Sequence, residues 1–183
     1  MSPKQTGLWG IVSKTVVTHT VTYTAVGLLA YSIFDYTTRF ADPAYSAFLR
    51  QTDHPLVAAG PLLQPIRGLL FGIVFALLRE VLFYRDLGWL RMWIMLVFVG
   101  IFSTFGPAPG SVEGLIYSKL PVAGQLGGLI EVLTQSLLLS VVVTYWVNHP
   151  RRRWLTWLLI LLFVVALAMP TLGLLAAMGL LPV

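Results

Sequence analysis

Apolar residues in this chain come in runs about as long as a bilayer is thick, divided by short polar breaks. Five runs, at residues 13–36, 61–84, 88–105, 121–147 and 154–180, approach or exceed the ~20 residues a helix needs to cross ~30 Å of hydrocarbon. They predict an all-α, polytopic membrane helix bundle of about five transmembrane helices, forming a single domain over residues 1–183. The first run is the weakest, because Thr15, Thr18, Thr20, Thr22 and Thr24 read almost like an alternating strand. Its length and the apolar residues that follow favour helix. The run is too long for a signal peptide and residues 28–34 offer no small-residue cleavage site, so it is expected to be retained.

The breaks between runs differ. Residues 84–88 and 148–153 are short turns that should close tight antiparallel hairpins, with Pro150 ending the fourth helix. Residues 37–60 and 106–120 form longer, more polar connections. Lys4, Lys14, Arg79, Arg85, Arg91, Arg151, Arg152 and Arg153 fall on the side of the short turns, against Arg39, Arg50 and Lys119 on the other. Basic residues are retained on the cytoplasmic side, so the amino terminus is expected inside and the carboxyl terminus, Gly179 to Val183, outside. Trp9, Trp89, Trp93, Trp146, Trp154 and Trp157 gather near the same inner interface, where indole rings anchor helices. A faint parallel repeat pairs the hairpin starting at Pro61 with the one starting at Pro121, and Gly68 with Gly128.

Composition narrows the classes. With 57% hydrophobic and 10% charged residues and a mean hydropathy of +0.84, the 183-residue chain is neither an ordinary soluble domain nor a disordered segment. It is expected to be a multi-pass integral membrane protein, of the plasma membrane or, in a bacterium, the inner membrane. The net charge of +5 is distributed as topology requires, so nucleic acid is not an expected partner. Without cysteine there is no disulfide, thiolate nucleophile or cysteine-ligated metal. The histidines, His19, His54 and His149, share no ligand spacing, so neither a metal site nor a cofactor is expected.

Charge at membrane depth costs about 2.5–3.5 kcal/mol and demands an escape or a partner. Arg79 and Arg91 can snorkel to the inner interface, Glu80 can pair with Arg85 or other neighbours, and Asp35 sits at the outer end of its helix. Arg67 and Glu131 lie deeper, roughly 9 Å and 15 Å below the outer ends of their helices at ~1.5 Å per residue. They can meet as a buried stapling pair extended by Gln135. Alternatively they line a polar cavity open to the outer side, where Arg67 holds an anionic group and Glu131 senses a proton or cation.

The stretch 106–114, with two prolines and three glycines, must break the third helix. Ser111 is placed as an N-cap and Glu113 in the first turn of a short helix over 111–119, either interfacial or re-entrant. Ser136, Ser140 and Thr144 recur every four residues and should pack closely, with Thr15, Thr18 and Thr22 as a matching, hydrogen-bonding surface.

Three functions are compatible with these features. The first is binding or transport of a small molecule or lipid through an outward-facing polar pocket built on Arg67, Glu113, Glu131 and Gln135. The second is an accessory or assembly subunit of a larger membrane complex, or a homo-oligomer. The third, an enzyme acting on a lipid head group with Glu113, Asp53 and His54, lacks any nucleophile motif and comes last. No catalytic residue is assigned. Membrane lipids and an unidentified small molecule are the expected partners.

Overall fold

The computed structural model describes residues 6–47 and 49–180, so Lys4 and residues 181–183 of the carboxyl-terminal segment lie outside the described part. The fold is all-α, and four helices are long and apolar enough to cross a membrane: α1 (Leu8–Ile33), α5 (Gly60–Leu77), α9 (Val122–Asn148) and α10 (Arg153–Ala177). Between α1 and α5 lie three short helices, α2 (Tyr36–Ala41), α3 (Pro43–Ser46) and α4 (Pro55–Ala58). The apolar run expected over 61–84 breaks at Leu78, which leaves α6 (Arg79–Leu82) as a separate turn.

The run expected over 88–105 is shorter than a full span. It forms α7 (Gly88–Val97), continues as a π-helical turn over Phe98–Phe102 and stops. At ~1.5 Å per residue it reaches about 22 Å, less than the ~30 Å hydrocarbon thickness. The π turn ends where Ser103 folds back, its amide and hydroxyl both donating to the Phe98 carbonyl at 3.0 and 2.6 Å. The six-residue helix α8 (Val112–Tyr117) follows, with Ser111 Oγ accepting from the Gly114 amide at 2.9 Å as its N-cap.

The helices joined by the short turns are not the ones packed side by side along their length. The expected hairpins close only at their turns: the Trp146 indole donates to Thr156 Oγ1 at 3.0 Å, and Leu155 and Leu159 cover Trp146, while further along α10 Ala166 is buried and most of the large apolar side chains face outward. Instead α1 is the hub, packed on α5, α9 and α10, and α7 packs on α9. The closest of these contacts is α1 on α5. A Cβ on Gly68 would stand 2.8 Å from Val16 Cα, and one on Gly72 3.0 Å from Val12 Cα. Gly68 and Gly72 thus form a small-xxx-small face that lets two backbones approach, the arrangement favoured where lipid removes the hydrophobic drive between helices. Gly128, its expected counterpart in the repeat, faces open space instead. The two glycines do different work.

The threonine-rich first run is helical, and four of its five threonine hydroxyls bond back to the helix, while the buried Thr18 hydroxyl has no partner among the described residues. Thr15, Thr20, Thr22 and Thr24 donate to the carbonyls of Ile11, Val16, Thr18 and Thr20 at 2.8–2.9 Å. Ser140 does the same to Ser136 at 2.7 Å. All members of the two expected stripes are buried, but none of these hydroxyls exchanges a hydrogen bond between α1 and α9. The stripes work by their small size. α1 also begins five residues earlier than expected, at Leu8, and Lys14 within it donates from its ammonium to the Trp146 carbonyl at 2.9 Å, near the carboxyl end of α9.

One dense core results, near the short turns. Ile11 and Val12 of α1, Phe75 and Ala76 of α5, Met92 and Leu96 of α7, and Leu139, Val143 and Val147 of α9 form a single buried cluster. Thr6 and Tyr84 tie its end, the Thr6 hydroxyl donating to the Val147 carbonyl at 2.9 Å and the Tyr84 hydroxyl to the Thr6 carbonyl at 3.2 Å. Partial burial raises the Tyr84 phenol above its ordinary pKa, so it remains a donor.

Candidate functional site

Toward the long connections the same helices part around a partly open cavity of about 730 Å³. Its walls are mostly apolar, and its polar side chains are His19 from α1, Arg67 from α5, Thr104 from the segment after the π turn, and Glu131, Gln135 and Ser136 from α9. Three of the four candidate residues, Arg67, Glu131 and Gln135, line this one space. Glu113 does not: it sits partly exposed in the first turn of α8. Asp53 and His54 are also elsewhere, where His54 Nδ1 accepts from the Leu56 amide at 3.1 Å and caps α4. Among the described residues no three His, Asp or Glu side chains gather as a metal site.

The expected Arg67–Glu131 ion pair is not formed. The ion pair among the described residues is Arg79 Nε to Glu80 Oε1 at 3.5 Å, an exposed contact between sequence neighbours rather than one to Arg85. Glu131 is engaged by the Tyr36 hydroxyl, which donates to its carboxylate from α2. Burial and, after it, this hydrogen bond hold the Tyr36 phenol above its ordinary pKa, which keeps it protonated and donating. The Arg67 guanidinium stands over the Phe71 ring at 5.6 Å, a cation–π contact that leaves its N–H groups unspent. Gln135 makes no side-chain hydrogen bond among the described residues, so the expected extension of a Glu131 network through it is also absent.

Two straps tie the long connections to the start of α9 beside the cavity. In the first, the Arg39 guanidinium at the end of α2 donates to the Gly124 carbonyl at 2.7 Å and to the Tyr45 hydroxyl at 3.1 Å, and lies over the Tyr45 ring at 4.9 Å. Asp35, expected as a solvated helix end, starts this strap in the left-handed region with φ 43° and caps α2 by accepting from the Thr38 amide. In the second, the wholly buried Gln125 donates to the Leu120 carbonyl at 2.9 Å and accepts from the Gly110 amide at 3.3 Å. Gly110 is needed there: its φ is +85°, and a Cβ would run into Leu129. Ala108 and Pro109 of this loop then border the cavity.

His19 is the residue that sequence reasoning passed over. Its Nε2 lies 3.1 Å from Gln64 Oε1, while the Gln64 amide nitrogen donates to the Gly60 carbonyl at 3.1 Å, so the ring carries its proton on Nε2. Phe71 meets the ring edge-on at 5.1 Å between centroids. His19 is 1% exposed and its Nδ1 has no partner among the described residues. With α1 starting at Leu8, His19 stands about 16 Å along the helix, at mid-span rather than near an end. A depth count from the correct start is the signal that finds it.

Compared with the models of known protein families, with curated proteins and with solved structures, the chain matches none. The reading of the site rests on its own geometry.

Proposed function

We propose that this is a multi-pass membrane protein that binds, and in binding helps to move, a small molecule or lipid in the cavity between α5, α7 and α9. The observation that carries the reading is the cavity of about 730 Å³ whose polar side chains come from α1, α5, α9 and the segment after the π turn and are not spent on one another. Pockets of this size suit small-molecule ligands, and ionisable groups kept at membrane depth mark pathways or sites more often than filler. In this reading five segments cross the bilayer, with the amino terminus in the cytoplasm and the cavity facing outward, as the bias of Lys and Arg toward the short turns supports. The third crossing is completed by irregular backbone after the π turn. Such backbone is tolerated at membrane depth when protein satisfies it, and Gln125 satisfies the adjoining loop.

The absence of cysteine makes the test direct. Ser118→Cys is expected to react with a membrane-impermeant maleimide in intact cells, and Asp86→Cys only after permeabilisation. Mass spectrometry of the protein, extracted gently with its lipids, is expected to show a defined small molecule or lipid retained at fixed stoichiometry. Labelling with the sides reversed, or a particle stoichiometric with a foreign polypeptide and free of small molecule, contradicts the proposal.

A further inference from the structure

We infer that the occupant of the cavity is an amphiphile with an anionic head, its carboxylate or phosphate held by Arg67 and its hydrocarbon chain lying along Leu70, Phe71, Ile101 and Val132. The inference rests on the cavity reading above and narrows it to one ligand class. Three observations carry it. Arg67 lines the cavity without a carboxylate partner among the described residues, although Glu131 lines the same space. Glu131 takes the Tyr36 hydroxyl on one carboxylate oxygen instead, from a residue outside the cavity lining. The cation–π contact with Phe71, at 5.6 Å, spends none of the guanidinium N–H groups, and its fork remains free for a planar carboxylate or a phosphate oxygen pair.

The remaining wall is hydrocarbon. Leu70, Phe71, Leu96, Ile101, Val132 and Leu139 offer nothing a compact hydrophilic anion would use, and a small ion would leave most of the cavity unfilled. A single chain beside an anionic head satisfies both the unpaired cation and the apolar wall. Gln135, whose amide is unengaged among the described residues, borders the same space as a second, uncharged donor.

The test uses the full-length protein in a neutral maltoside detergent, titrated by native mass spectrometry with four probes. Oleate and oleoyl lysophosphatidic acid carry an anionic head, monoolein carries the same chain with an uncharged one, and inorganic phosphate carries the head chemistry without a chain. The expected result is that both anionic amphiphiles bind about 10-fold or more tightly than monoolein, and that phosphate alone does not bind. Arg67→Gln should abolish that preference while Arg67→Lys keeps most of it. Gly128→Leu fills the cavity from a position whose Cβ meets nothing within 4 Å, and should remove binding of every amphiphile while the protein unfolds no earlier.

Equal binding of oleate and monoolein, or a preference that survives Arg67→Gln, overturns the anionic head. In that case the cavity reading stands if Gly128→Leu still removes binding. Binding of phosphate without the amphiphiles overturns the hydrocarbon half. Amphiphile binding that survives Gly128→Leu, or no binding by the wild type, overturns the cavity reading and this inference together.

Discussion

At the end with the short turns, α1, α5, α7 and α9 interdigitate around Phe75, Met92, Leu139 and Val143, all almost fully buried. At the end with the long connections the same helices stand apart around a cavity that holds a cation, a carboxylate and two amides or imidazoles. The difference lies in what each end has available. Near the short turns, large apolar side chains pack directly, and from mid-span toward them Gly72 and Gly68 bring α5 against the α1 backbone. Near the long connections, α9 begins with Gly124, Gly127 and Gly128, and the space they leave is used differently: Gly124 and Gly127 seat Tyr45 and Arg39 of the strap, and Gly128 borders the void. Small residues thus serve close helix approach on α5 and a strapped opening at the start of α9.

Substitutions at the two ends should therefore differ sharply. The largest effect is expected from Gly68→Leu or Gly72→Leu, which force a side chain into the α1 backbone; destabilisation of about 3 kcal/mol or more should appear as an early thermal transition and a low folded yield. Phe75→Ala should cost about 3 kcal/mol by opening a void in the dense core, whereas Leu70→Ala on the cavity wall should change the same transition by less than about 1 kcal/mol. Equal effects of these two would erase the distinction between the halves. Gln125→Ala should cost about 1–2 kcal/mol through loss of two buried hydrogen bonds, and hydrogen exchange should rise in residues 106–120 but not in α1 or α5.

Smaller effects sharpen the strap that starts at α2. Tyr36→Phe removes the donor to Glu131, and the phenol it removes is one whose pKa is raised on folding. A raised acid pKa contributes stability that is complete below the unfolded value, about 10 for tyrosine, and is lost as pH rises from there toward the folded value. The midpoint of thermal unfolding of the wild type should accordingly fall more steeply above about pH 10 than that of Tyr36→Phe, while below pH 9 the two should run parallel, the variant lower. Identical alkaline slopes would show that Tyr36 is not held as described.

How much of this was written in the sequence depends on the range of the interaction. The apolar runs were legible because hydrocarbon demands internal backbone hydrogen bonding over a fixed length. Their ends were less so: the first run was expected to start at residue 13, but its helix starts at Leu8, where the added turn carries Ile11 and Val12 into the core. The earlier start places His19 at mid-span. Arg67 and Glu131 stood out as charges at depth, yet a residue count along each helix cannot tell whether they meet. Their separation is decided by Tyr36, on a short helix that no apolar periodicity signals. The Gly68–Gly72 spacing was present in plain sight; compared with Gly128 alone it looked like a repeat, and only the approach of α1 shows its use. Packing order, too, was hidden, since short turns suggest neighbours while side-chain size selected α1 as the hub.

The central claim is that one half of the bundle is packed and the other hollow. The chain has no cysteine, so Gly128→Cys and Val143→Cys, both on α9, can be labelled against a clean background with a small water-soluble maleimide. The account predicts that the thiol at position 128, which borders the cavity, reacts readily in the folded, detergent-solubilised protein, and that the one at position 143, wholly buried in the core, reacts only after denaturation. Protection of position 128 together with ready labelling of position 143 would contradict it.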